Sequence, residues 1–124
     1  MARNNGIKAS KAEYIVFLDA DDIWLLDFLE NIYKMTIQFP EAGMYATKYN
    51  LVDKNGEQKE ISVKGLPSKS ENYIGIIPNY FKSAAVGDLP VWSSAVCIPK
   101  RIFTSNNIWF PVGEKYGEDQ HVWA

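Results

Sequence analysis

A chain of 124 residues with 47% hydrophobic and 23% charged residues has the size and make-up of one globular domain with a single core. Its net charge of -2 gives no electrostatic reason to expect nucleic acid or an anionic membrane as the main partner. A single cysteine excludes an internal disulfide, and no apolar run is long enough to span a bilayer, so the chain reads as cytoplasmic.

Residues 2–11 have the pattern of the last turns of a helix. "EYIVFL", residues 13–18, is a short apolar run rich in β-formers and predicts a buried strand. That strand ends in "DADD", so Asp19, Asp21 and Asp22 crowd together at its carboxyl end. From Leu25 the spacing turns helical through Phe28, Leu29, Ile32, Met35 and Phe39, with Asp22 expected as N-cap and Pro40 as the stop. "KNG" between two polar-apolar runs predicts a hairpin turn. Residues 65–75 predict a loop, and "IPNYFKSAAV" a short helix after Pro78. "VWSSAVCI" predicts a strand over 91–98, Pro99 opens a short helical stretch, and "SNNIWFPVGEKYG" is irregular. The closing "EDQHVWA" begins another helix. Helices interrupted at both ends suggest a piece of a larger domain.

The crowded carboxylates carry the chemistry. Strand ends in α/β sheets open into ligand crevices, and a turn can aim Asp19 and Asp21 into one of them. Their hard oxygen donors suit Mg²⁺ or Mn²⁺, which keep several waters and accept substrate phosphates. The duller alternative is a capping Asp22 beside two solvated loop residues. Glu118 and Asp119 either complement a helix start or supply a general base within reach of a substrate hydroxyl. His121 is either structural or a metal ligand. Arg3, beside Asn4, is either a surface arginine or a planar fork for a phosphate or base edge. Trp109 and Phe110 are core residues or a platform for a sugar ring, and Cys97 reads as core.

Two segments resemble the family 2 glycosyltransferases of the GT-A type. "ARNNGIKASKAEYIVFLDADDIW" is similar to that family's stretch from its Ala-Arg-Asn-x-Gly-Ile helix into the Asp-x-Asp strand end, and "VGEKYGEDQHVWA" to its Gly-Glu-Asp segment. "WSSAVCIPKRIF" resembles the strand and short helix between them. The resemblance implies a partial GT-A fold, α/β with a mixed sheet flanked by helices, over 1–124 as one partial domain. It implies that Asp21 binds Mn²⁺ or Mg²⁺ and through it the diphosphate of a nucleotide-sugar, UDP being the expected carrier. Asp19 lies near the ribose and the metal, Arg3 faces the nucleotide, Asp119 is the base and Glu118 lies in the acceptor pocket. The implied reaction is inverting transfer to a hydroxyl of a saccharide or lipid-linked acceptor, in polysaccharide assembly. The setting is the cytoplasm, with peripheral attachment at the inner face of the membrane as a variant.

The departures set the alternatives. Ala12 and Leu26 stand where the family commonly has Gly and Pro, and its opening base-binding unit has no counterpart here. A truncated domain without catalysis is therefore the first alternative, with exposed sheet edges that favour homo-oligomers. A phosphatase of the haloacid dehalogenase type, with Asp19 as nucleophile, is the second; Asp22 and Ile23 depart from the Gly-Thr or Gly-Val expected there.

Overall fold

A computed structural model describes residues 2–70, 72–114 and 116–123; Met1, Glu71, Lys115 and Ala124 lie outside the described residues, including their places in the expected terminal elements. The chain packs as two compact units, one of residues 1–47 with 93–124 and the other of residues 48–92.

The first unit is organised by its most apolar strand. Ser93–Ala95 form one 3-10 turn, which leads into β5, Val96–Pro99, buried at every position. On one side β5 pairs antiparallel with β1, Tyr14–Val16, in the register Tyr14↔Pro99 and Val16↔Cys97. On the other it pairs antiparallel with β2, Tyr45–Ala46, where Tyr45 faces Cys97. The centre of a sheet has no solvent face, which explains the unbroken apolar "VCIP". The expected mixed sheet is represented, among the described residues, by antiparallel pairings alone.

Two of the expected strands are shorter than their apolar runs. The strand expected over 91–98 begins only at Val96, because Ser93 and Ser94 spend their backbone in the 3-10 turn. β1 therefore has a four-residue partner and stops at Val16 rather than running over 13–18. Nor is it buried throughout: Tyr14 is 40% and Leu18 51% exposed, while Ile15 and Phe17 point inward. Side chains of a strand alternate between faces, and this edge strand covers only one partner.

Both faces of the sheet are packed. On one face, helix α2, Phe28–Gln38, sets Phe28 and Ile32 against Tyr45 and Cys97, with Val16, Trp24 and Met35 around them. This helix starts later than its spacing predicts. Asp27 rather than Asp22 is the N-cap, and it makes no side-chain cap bond. Asp22 instead closes a turn, its N–H donating to the Asp19 carbonyl at 3.1 Å. Leu25 and Leu26 are exposed, so no core contact draws that segment into the helix. The helix ends at Gln38, ahead of Pro40 as expected.

On the other face, Phe17 meets Phe103 and Phe110 edge-on, at 6.3 and 5.4 Å between ring centroids. Phe103 comes from α4, Lys100–Asn106, which ends on Asn107 in the left-handed region at φ 53°. Asn tolerates that conformation better than most side chains. Helix α1, Ala2–Ala9, buries Asn4 and Ile7 and exposes most of its remaining side chains. Helix α5, Glu118–Trp123, closes the described chain, with the Trp123 ring edge-on to Phe110 at 6.0 Å.

The second unit contains the expected hairpin. β3, Asn50–Val52, pairs antiparallel with β4, Gln58–Glu60. The Asp53 carboxylate accepts from the N–H groups of Asn55 and Glu57, and Gly56 takes φ 81°. Helix α3, Tyr80–Val86, follows Pro78 as expected and is capped by Asn79, whose side chain accepts from the Lys82 N–H. Gly87 allows a close approach to the Ser62 carbonyl, which a Cβ there would meet at 2.7 Å. No helix among the described residues is long and apolar enough to cross a membrane.

Candidate functional site

Asp19 emerges where the β1 segment leaves the sheet, and it is held from three directions. The Arg3 Nη2 on α1 donates to its Oδ1 at 2.9 Å. The Ser93 hydroxyl donates to its Oδ2 at 2.7 Å. Its own backbone N–H donates to the Ser94 Oγ at 2.9 Å. Burial pushes the Asp19 carboxyl up, but the Ser93 and Arg3 hydrogen bonds and the guanidinium charge outweigh it, so the group ionises below its usual value.

Arg3 joins the two acidic motifs. Its Nη1 lies 3.6 Å from the Glu118 Oε1 on α5, so one guanidinium contacts carboxylates that are far apart in sequence. Its plane also sits over the Phe110 ring, 5.3 Å from the centroid. An arginine fork between two carboxylates and an aromatic face has little freedom to swing away.

Asn4, the neighbour of Arg3, has a separate task. Its amide donates to the Phe110 carbonyl at 2.8 Å and accepts from the Phe110 N–H at 3.0 Å, both within the core. A single buried side chain thus satisfies both backbone groups of the residue on which Arg3 and Trp123 rest. Phe110 is core, which resolves one of the two aromatic expectations. Trp109 is half-buried: its indole N–H donates to the Asn107 Oδ1, and the Lys8 ammonium stands 5.2 Å from its ring.

The remaining expected residues are more open. Asp21 is exposed, and Asp119 is half-buried, its carboxylate accepting from the Gln120 N–H at 2.8 Å. His121 is exposed on α5. Gly117 takes φ 74° before that helix begins. Cys97 is wholly buried, and burial pushes its thiol up to about 11, in keeping with a core role.

Among the described residues no group of three His, Cys, Asp or Glu side chains could hold a metal. Asp19 and Asp21 nevertheless suit a hard cation that keeps water and shares substrate phosphate oxygens, a role that does not need an all-protein cage. Asp21 has the freer carboxylate. Both oxygens of Asp19 already accept hydrogen bonds, so its carboxylate is the less free of the two to meet a cation directly.

Sequence reading missed Ser93, Ser94 and Trp24. The Trp24 indole N–H donates to the Ser94 carbonyl at 2.7 Å. The available signal was two hydroxyls inside an apolar run, because buried polar groups must find partners. Within the apolar run "VWSSAVCI" that signal predicts only strand.

Residues 1–87 match the family model of glycosyl transferase family 2. The chain is 30% identical over 125 residues to a protein of Rickettsia bellii named "Uncharacterized glycosyltransferase", covering 98% of this chain and 16% of that protein. It is 32% identical over 119 residues to the poly(ribitol-phosphate) beta-N-acetylglucosaminyltransferase TarP of Staphylococcus aureus, covering 95% of this chain and 33% of that protein. No solved structure matches the chain significantly. Arg3 and Asp19 fall inside the matched stretch, while Ser93, Ser94, Phe110 and Glu118 lie beyond it, and the chain belongs to glycosyl transferase family 2. It is an α/β domain consistent with a partial GT-A fold, and this membership displaces the phosphatase alternative. The chain spans a third or less of the length of these two relatives.

Proposed function

We propose that the chain forms the donor-diphosphate and base portion of an inverting, metal-dependent glycosyltransferase. The observation that carries this reading is the bridge from Arg3 to both Asp19 and Glu118, which draws the Asp-x-Asp turn and the Glu-Asp helix start to one cation. Asp21, with Asp19 beside it, would hold Mn²⁺ or Mg²⁺, which would supply positive charge opposite the leaving diphosphate. Arg3 faces the nucleotide and its phosphates.

Asp119 accepts the proton of an acceptor hydroxyl as that oxygen attacks the anomeric carbon. The bond from the anomeric carbon to the diphosphate oxygen breaks on the opposite face, and the nucleoside diphosphate leaves with the bonding electrons. The transition state has oxocarbenium character, and configuration inverts. Glu118 belongs to the acceptor pocket and Trp109 offers a ring edge to a sugar. The donor is a UDP-sugar and the acceptor a saccharide or lipid-linked saccharide of a surface polysaccharide. The name of TarP makes UDP-N-acetylglucosamine the first donor to test.

A second reading is a domain that folds without catalysing. Calorimetric titration with UDP, with and without Mn²⁺, beside Asp21→Ala separates the two. Metal-dependent binding lost in the variant supports the donor site. A folded wild-type chain that binds no UDP under either condition rejects the proposed function for this chain.

A further inference from the structure

The turn that carries the three carboxylates is tied down at both ends by Ser94, and at its start by Ser93 as well. At its start, the Asp19 Oδ2 accepts from the Ser93 hydroxyl, and the Asp19 backbone N–H donates to the Ser94 Oγ. At its end, Trp24 donates its indole N–H to the Ser94 carbonyl. The Trp24 ring also stacks on Phe28 at 4.8 Å, which joins that end of the turn to α2. Asp21 lies between these ties and is exposed.

Ser93 and Ser94 are each 5% exposed, at the point where the chain enters its most buried strand. Hydroxyls in such a place are costly unless they are bonded. Here the bonds run to the acidic turn. With Arg3 on Oδ1 and Ser93 on Oδ2, the carboxylate plane of Asp19 is set from both sides, whereas an aspartate held only by a guanidinium retains rotation about its terminal torsion.

We infer that Ser93 is a positioning residue for the donor site, fixing the Asp19 carboxylate while Ser94 anchors the backbone of the turn that displays Asp21. The inference rests on the proposed donor site, and it assigns to that site residues outside both acidic motifs. Ser93 acts through Asp19 and touches neither metal nor sugar. Partners of this outer kind orient the groups that do the binding, and their loss weakens metal sites by roughly 10- to 100-fold.

The test is calorimetric titration of the whole chain with UDP in the presence of Mn²⁺, for wild type, Ser93→Ala, Ser93→Cys and Ser93→Thr, each with its thermal midpoint. Ser93→Cys keeps the volume but replaces the hydroxyl with a weak donor, so it stands in for Ser93→Ala if the smaller side chain disturbs packing. The expected result is affinity lowered by roughly 10- to 100-fold in the alanine and cysteine variants. Ser93→Thr, which keeps the hydroxyl, returns it to within about threefold of wild type. Alanine and cysteine variants that bind as wild type does overturn the inference alone. So does a loss that follows the thermal midpoint and is not restored by threonine, which is a packing role. A wild-type chain that binds no UDP with Mn²⁺ overturns the proposed donor site and this inference with it.

Discussion

Arg3 and Asp19, sixteen positions apart, meet at 2.9 Å, and the same guanidinium reaches Glu118 from α5 at 3.6 Å. The second carboxylate belongs to a segment beyond residues 1–87, the stretch that carries the family match. One arginine therefore connects the part of the chain that establishes the family with the part expected to hold the base.

The ionisation of Asp19 gives a pH dependence with a definite sign. Its folded value lies below the usual 3.8, so the unfolded chain binds this proton more readily. Its stabilising contribution is fully present above about pH 5 and is lost as pH falls through the folded value. The urea midpoint of wild type should fall in that window, and Asp19→Asn should flatten the slope. An equally steep slope in the variant assigns the acid sensitivity to other groups.

Asn4→Ala removes both partners of the Phe110 backbone. Two buried polar groups are then left unsatisfied, a cost of about 2–4 kcal/mol in equilibrium unfolding. Asn4→Asp keeps only the acceptor and sets a carboxylate against a carbonyl, so it should be at least as damaging. Two variants within about 0.5 kcal/mol of wild type would show that water replaces the amide.

Cys97 should be inert in the native chain. With its thiol raised to about 11 and no exposure, it should react with an aromatic disulfide reagent at pH 8 only as fast as the chain opens. The measurement is the labelling rate with and without denaturant. Rapid labelling of folded protein contradicts the buried placement.

Gly56→Ala tests the hairpin. At φ 81° an alanine is strained although no atom lies within 4 Å of its Cβ, so the cost is backbone alone, about 1 kcal/mol. The loss should appear in the unfolding midpoint, with amide exchange rising across residues 50–60. Unchanged stability would mean that the turn rearranges to a negative φ.

Local signals were enough for the hairpin turn, for α3 after Pro78, for α4 after Pro99 and for the stop of α2 at Pro40. Each depends on a neighbouring residue's torsions or hydrogen bonds, which the sequence displays directly. The family too was legible, because the stretch from Arg3 to Trp24 keeps its residue types in order.

Where partners come from distant segments, the tertiary structure decided. The apolar runs at 13–18 and 91–98 were both longer than the strands they form, since pairing length is set by the shorter partner and β5 begins only after the serine turn. Asp22 had the composition of a cap, yet only the exposed Leu25 and Leu26 show why the helix begins at Phe28. By itself the sequence determined the residue types of the site and the order in which they occur. Only the tertiary structure decided that Ser93 bonds to Asp19 and Asn4 to Phe110, because a hydrogen bond between residues 74 or 106 positions apart leaves no periodicity in the chain.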